Sequence, residues 1–318
     1  MKLIIQIPCY NEEATLSLAL DELPKQVKGF DVVEVLIIND GSTDNTVKVA
    51  QDWGVDHIVS FNKNKGLARG YMAGLEASLK HGADVIVNTD ADNQYNAKDI
   101  EKLCQPILEG KADLVVGERP INNIEHFSFI KKRLQNLGSW VVRKVSRTDI
   151  PDAPSGFRAI SREAAFHLNV FNDYTYTLET IIQAGRKNMA ITSVPISVNE
   201  DLRPSKLFTS MRAYIKRSIG TILRIGIIYE PSKFFSWIGI TSFILGTAVG
   251  IRWIVLFIMD PSRTHVPSLI LASILIILGV LVIVMSVLAD LISVNRKILE
   301  ENQSRLRKLE NDLFRKKD

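Results

Sequence analysis

Short apolar runs punctuate the first 200 or so positions, and each stops abruptly at polar side chains. The runs "KLIIQI", "EVLIIND", "HIVSF", "DVIVNTD" and "DLVVGE" do not alternate apolar with polar. A strand covered on both faces reads this way, and such strands belong to parallel sheets flanked by helices. Between them, stretches such as 12–23 and 44–53 carry apolar residues at helical spacing. The pattern predicts an α/β domain over residues 1–206. Ligands of parallel sheets bind beyond the carboxyl ends of the strands. The polar clusters Tyr10–Asn11–Glu12, Asn39–Asp40 and Asp90–Asp92 each follow a strand candidate directly, so they are expected to converge on one sheet edge.

From 207 the pattern changes. Leu207, Phe208, Met211, Tyr214 and Ile215 recur near helical spacing among Arg212, Lys216, Arg217 and Arg224. A basic amphipathic helix of this kind, predicted over 207–233, suits an anionic membrane surface, although a core helix with a solvated basic face has the same pattern. Next, "FFSWIGITSFILGTAVGI" has no charge and extends to Met259 with Arg252 alone inside it, and Val266 to Ala289 is uncharged. Each run is long enough for a hydrocarbon core of roughly 30 Å. The linker "DPSRTH" is short, so 234–292 is predicted to form a two-helix transmembrane hairpin. Lysine and arginine enrich both flanks, which places 1–233 and 293–318 in the cytoplasm by the positive-inside rule. The tail 293–318 reads as a helix with Ile298, Leu306, Leu309 and Leu313 in a thin stripe; it could contact a second subunit, lie along the catalytic domain, or simply be solvated.

Composition adds little to this division. The formal charge of +4 gives no reason to expect a nucleic-acid partner. The two cysteines, Cys9 and Cys104, have no metal-type spacing and suit a reduced compartment. "MKLIIQIPCYNEE" has too short an apolar run for a signal peptide and reads as a first strand.

The chemistry centres on "VIVNTDADNQ". Asp90 and Asp92 stand one residue apart, and side chains at i and i+2 of an extended chain face the same way. Two carboxylates so placed repel each other unless a cation lies between them. A hard divalent ion, Mg2+ or Mn2+, prefers such oxygens, with a phosphate-bearing substrate completing its shell. The histidines His57, His81, His126 and His167 carry no partner motif and read as structural or surface groups.

Taken in order, "IPCYNEE", "INDGSTDNT", "NKGLARGYMAGL", "NTDADNQ", "VVGER" and "DAPSGFRAISR" resemble the family-2 inverting glycosyltransferases. More narrowly they are similar to the polyprenyl-phosphate group, that of dolichyl-phosphate mannose synthase and bactoprenyl glucosyltransferase. The resemblance implies a GT-A type, Rossmann-like mixed and mainly parallel sheet with flanking helices, followed by the transmembrane hairpin. It implies that Pro8, Tyr10, Glu12 and Asp40 hold the donor nucleotide, and that Asp90, Asp92 and Gln94 bind the metal on the donor diphosphate. Arg119 matches the position assigned to the acceptor phosphate. Ser155 and Arg158 match a loop beside the acceptor, so that Asp92, Arg119 and Arg158 form the expected catalytic set. Arg203 and Lys206 resemble a basic pair gripping the diphosphate. Lys132 and Arg133, with Lys131, would extend a positive path to the lipid phosphate.

The chain departs from the mannose synthases at Asn39, where an aspartate is usual, at Pro154, and in the short Arg203-to-Lys206 spacing. These departures favour a UDP-sugar over a GDP-sugar. The implied reaction moves one sugar to polyprenyl phosphate. A processive polysaccharide synthase is the alternative; "QAGRK" has the glutamine and arginine of such enzymes' Gln-x-x-Arg-Trp but not the tryptophan. Glu179 is open between a base or acceptor-orienting residue and a helix residue facing the sheet.

Overall fold

The computed structural model describes residues 1–120, 139–140, 142–170, 176–199, 220, 224, 227, 231–260 and 265–315. Lys131, Lys132, Arg133, Arg203, Lys206 and His126 lie outside the described residues, as does most of 207–233. The chain divides into two compact units, one of Met1–Ile219 with Glu300–Asp318, the other of Gly220–Leu299.

The first unit is built on a seven-stranded sheet. In chain order its elements are β1 (Lys2–Cys9), α1 (Leu16–Asp21), β2 (Val32–Asn39), α2 (Thr46–Trp53), β3 (His57–Ser60), α3 (Leu67–Lys80), β4 (Val85–Asn88), α4 (Ile100–Leu108), β5 (Leu114–Glu118), β6 (Arg158–Ser161), α5 (Arg162–His167), α6 (Thr177–Arg186) and β7 (Ile191–Pro195). The spatial order is β3-β2-β1-β4-β6-β5-β7. β1 pairs in parallel with β2 and β4, β2 with β3, and β5 with β7, whereas β6 runs antiparallel to both β4 and β5. The sheet is therefore mixed and mainly parallel.

Period-two alternation sorts β1 between two cores. Leu3, Ile5, Ile7 and Cys9 join the core that includes Leu16, Ala50, Ile100 and Leu103 from α1, α2 and α4. Ile4 joins Tyr71, Leu75 and Leu79 of α3 with Ala164, Ala165 and Phe166 of α5 on the other face. Helix α3 sits flush on the sheet because it carries glycine at the contact: a Cβ on Gly74 would stand 2.5 Å from Gln6 Oε1. Cys9 and Cys104 are free and buried in the first of these cores, so no disulfide links them.

The runs read from the sequence as strands are β1 to β5. β6 and β7, four and five residues long, were not anticipated. "RAIS" has too little apolar length to register as a strand, and "ITSVP" is short and ends on proline.

The second unit contains α7 (Pro231–Met259), which is 29 residues long, and the start of α8 (Val266–Arg315), which is 50. Both are long and apolar enough to cross a membrane. They pack through glycines: a Cβ on Gly239 would meet Gly279 O at 2.9 Å, and one on Gly246 would meet Ile276 N at 2.9 Å. Ser242 Oγ donates to Leu275 O at 2.9 Å, and the Ser236 and Ser286 hydroxyls bond at 2.8 Å. The tail is not a separate helix. It continues α8 without a break, and from Glu300 onward it belongs to the first unit.

Candidate active site

The carboxyl ends of β1 and β2 are paired in register at Cys9↔Asn39, so the loops leaving them run side by side. They interlock. Asn11, at φ 54°, donates its N–H to Ser42 Oγ at 3.0 Å, and its side-chain oxygen accepts from Thr43 N at 2.8 Å. Glu12 N donates to Thr46 Oγ1 at 2.8 Å, and Glu13 accepts from Asn45 N at 2.9 Å. Asn39 takes the turn-closing role of the usual aspartate by accepting from Ser42 N at 2.9 Å. Tyr10 stands exposed above this loop pair. Asp40 is nearly buried and its two oxygens accept the N–H groups of Lys65 and Gly66, at 2.7 and 2.9 Å. It thereby ties the start of α3 to the end of β2.

Asp90 and Asp92 follow β4, the next strand along, and are partly buried. Asn93, at φ 58°, turns the chain after them, and Asp92 Oδ1 accepts from Gln94 N at 3.3 Å. Burial, with the Asp92 charge beside it, pushes the Asp90 carboxyl up to about 7, while Arg119 pulls the other way. A carboxylate so poorly ionised lacks sufficient positive charge nearby. Among the described residues, no group of three or more His, Cys, Asp or Glu side chains could hold a metal ion. The arrangement fits a cation held by an aspartate pair and a substrate phosphate, not one enclosed by protein ligands.

A polar layer lies under this pair. Buried Asn88 donates to Gly156 O at 3.0 Å and Tyr176 Oη at 2.9 Å, and accepts from Gln6 Nε2 at 2.9 Å. Gly156 N in turn donates to Tyr95 Oη at 3.0 Å. Both polar atoms of that peptide are thus engaged, and a Cβ on Gly156 would stand 3.1 and 3.3 Å from the Asp90 carboxylate oxygens. A side chain there would press on the carboxylate, so glycine lets the loop "DAPSGF" lie against it without displacement. Tyr176 stacks on Tyr71 at 3.9 Å, and Tyr95 on Phe157 at 5.1 Å.

Arg119 directly follows β5 and is gripped by Asp152. Its Nε and Nη2 donate to the two carboxylate oxygens at 2.7 and 3.0 Å, and its backbone N to Oδ2 at 3.2 Å. The Asp152 side chain is fully buried and that of Arg119 is 14% exposed. A fork–fork pair of this kind fixes the guanidinium plane and leaves Nη1 outside the pair. Asp152 was missed in the sequence, although it stands three residues before Ser155 in the motif quoted for the acceptor loop.

Arg158, expected in the catalytic set, is wholly buried. Its Nε, Nη1 and Nη2 donate to Ser155 O, Thr180 Oγ1 and Ala153 O. It braces the loop from beneath instead of facing a substrate. Ser155 Oγ is buried without a hydrogen-bond partner. Gln183 accepts from Asn169 N at 2.9 Å and donates to Asn169 O, so the "QAGRK" glutamine serves the fold. Glu179 is nearly buried in the first turn of α6. His57 starts β3, where Nε2 contacts Glu34 at 2.8 Å and the ring stacks on His81 at 3.6 Å.

The sheet order, with the aspartate pair beyond β4, is that of a GT-A type glycosyltransferase domain. The chain belongs to glycosyl transferase family 2, whose family model matches residues 4–168. It is 30% identical over 215 residues to the UDP-N-acetylglucosamine–dolichyl-phosphate N-acetylglucosaminyltransferase of Methanococcus voltae, covering 60% of this chain and 82% of that one. It is 29% identical over 219 residues to the undecaprenyl-phosphate mannosyltransferase of Micrococcus luteus, covering 65% and 88%. In fold it is similar to glucosyl-3-phosphoglycerate synthase from Mycobacterium tuberculosis, crystallised with Mn2+ and UDP, at a TM-score of 0.54 and 20% identity over 71% of this chain and 78% of that one.

Proposed function

We propose that the enzyme transfers one sugar from a nucleotide-sugar donor, a UDP-sugar before a GDP-sugar, to polyprenyl phosphate, with inversion at the anomeric carbon. The observation that carries this reading is the convergence of an aspartate pair with a clamped arginine at one edge of the sheet. Relatives named for dolichyl and undecaprenyl phosphate support the acceptor. α7 and α8 support a membrane anchor, and the lysine and arginine enrichment of the sequence on both sides of it supports a cytoplasmic catalytic unit.

In this reading Asp90 and Asp92, with Gln94, would hold Mg2+ or Mn2+. When bound, the ion neutralises the charge that builds on the leaving diphosphate. Tyr10, Pro8 and Glu12, on the carboxyl side of β1, line the nucleotide end of the donor site. Asp40 shapes that end through the Lys65–Gly66 backbone, while Arg203 and Lys206 would face the diphosphate. An acceptor phosphate oxygen attacks the anomeric carbon as the bond to the diphosphate breaks, and the nucleoside diphosphate leaves with that electron pair. A phosphate monoester dianion has no proton to give up, so positioning matters more than a strong base. Arg119 would serve that positioning by presenting Nη1 to the acceptor phosphate, and Ser155, Lys132 and Arg133 are the further residues proposed for the acceptor.

Calorimetry separates the two substrates. The donor is expected to bind with Mn2+ and not in excess EDTA, and Arg119→Ala is expected to weaken a short-chain prenyl phosphate while sparing the donor. Loss of donor binding in Arg119→Ala with acceptor binding intact would place this residue on the wrong substrate.

A further inference from the structure

The tail of α8 docks on its own catalytic unit through the wrong face for an amphipathic helix. The buried residues there are polar: Glu300, Ser304 and Asn311. Glu300 meets Lys187 Nζ at 3.4 Å, and the Ser304 hydroxyl and His167 Nδ1 lie 2.8 Å apart. Arg307 donates to Leu168 O at 2.8 Å and to Glu76 at 3.1 Å. Asn311 donates to Leu79 O at 2.7 Å and accepts from Arg162 at 2.6 Å. The opposite face carries the apolar stripe. Leu299, Leu306, Leu309 and Leu313 are 67, 60, 60 and 64% exposed, and Asn302 is exposed in the same row. The intervals 299, 302, 306, 309, 313 are three and four in strict alternation. That is the a/d seam of a coiled coil, and a helix that buries an apolar stripe in its own domain does not leave such a seam in water.

We infer that this seam docks a second copy of the same chain, in a parallel, in-register coiled coil over 299–313. Charge supports that occupant. With Leu306 at an a position, Arg305 falls at g and Glu310 at e, and in a parallel pair the g residue of one helix faces the e residue five places on in the other. The two-fold axis makes this Arg305–Glu310 contact twice. Asn302, at d among leucines, meets its own copy across the axis only in register, so other registers bury it against leucine. Among the described residues Arg305 pairs with Glu301, at 3.2 Å on the exposed surface, and can exchange that partner at little cost. Two heptads are marginal for free peptides. Here the helix is already formed by docking of its other face. The inference rests on the proposed membrane anchor only in giving both copies one orientation.

The test uses the full chain in lipid nanodiscs and in detergent. Leu306→Cys is expected to form an intermolecular disulfide under mild oxidation, and Glu301→Cys, off the seam, at least tenfold more slowly. Leu306→Asp with Leu309→Asp is expected to convert the dimer to a monomer by light scattering; both side chains are exposed, so the catalytic unit should melt unchanged. Arg305→Glu or Glu310→Arg alone is expected to slow the Leu306→Cys disulfide about threefold, and the two together to restore it. Equal disulfide rates on and off the seam, no change in mass for the double aspartate variant, or quenching of a Leu309 label by brominated lipid would each overturn the inference. The last outcome would assign the stripe to the bilayer.

Discussion

The two units are made from the same apolar residue types and use them in opposite ways. In the sheet Ile4, Ile5, Ile37 and Val87 are fully buried, whereas in α7 and α8 Ile258, Met259 and Ile292 are 72, 77 and 69% exposed. Polar groups invert too. The catalytic unit buries Gln6, Asn88, Asp152 and Arg158 completely, each tied into hydrogen bonds. The helix pair has no comparable apolar core and packs through Gly239, Gly246 and Gly279. In water, folding is driven by removing apolar surface, and polar groups can be buried where their partners are preformed. In hydrocarbon that drive is absent, and close backbone approach takes its place. With α7 and α8 as the proposed membrane anchor, one chain carries two sets of rules, and each variant acts on one set at a time.

The largest expected effect is on chemistry alone. Asp92→Ala should cut transfer by about 10³-fold, on the order of 4 kcal/mol of transition-state stabilisation. Melting of the catalytic unit and membrane insertion should both stay intact, as checked by initial rates beside circular dichroism. Next comes the clamp. Asp152→Asn breaks a buried ion pair and should destabilise the catalytic unit by about 3 kcal/mol, read by denaturant titration, with a raised KM for lipid phosphate. Adding Arg119→Gln should cost less than the sum of the single changes, because the orphaned charge is removed. In the other unit, Gly279→Val forces a side chain against the Phe243 backbone, where a Cβ would already stand 2.8 Å from N. Overpacking of about 2 kcal/mol is expected. It should appear as lost cross-linking between cysteines at Ser242 and Leu275, with donor affinity unchanged.

The smallest effect concerns Asp90. Its carboxyl is raised in the folded state, so the folded chain holds this proton more tightly than the unfolded one. The resulting stability is fully present below the unfolded value of about 4 and is lost as pH rises through about 7. Metal-free Asp90→Asn should therefore match the parent in acid and melt higher at pH 8, by on the order of 1 kcal/mol after allowing for solvent screening. Saturating Mn2+ should reverse that order. Calorimetric melts at the two pH values, with and without metal, decide it.

Much of this was legible because its signals are local. β1 to β5 announce themselves as continuous apolar runs, the helix pair by length without charge, and Asp90 with Asp92 by spacing alone. What was hidden depends on contacts distant in sequence. Asp152 binds Arg119 across 33 residues, and Tyr176 reaches Asn88 across 88. Arg158 and Asp40 sit within readable motifs, yet only packing shows that both side chains are spent on the protein itself, Asp40 on two backbone N–H groups and Arg158 on two carbonyls and the Thr180 hydroxyl. β6 is antiparallel and four residues long, too short for a period to show. The stripe Leu306, Leu309 and Leu313 was visible, but not that the polar face behind it carries the docking.

Transfer of a single sugar to a lipid phosphate by the Asp90–Asp92 site can be tested on its product. The direct measurement is mass spectrometry of lipids after incubating the purified protein with a panel of nucleotide sugars and undecaprenyl or dolichyl phosphate. One lipid product is expected, heavier by one sugar residue, formed with Mg2+ or Mn2+ and lost both in EDTA and in Asp92→Ala. A glycan that lengthens with time, or full product formation in excess EDTA, would contradict it.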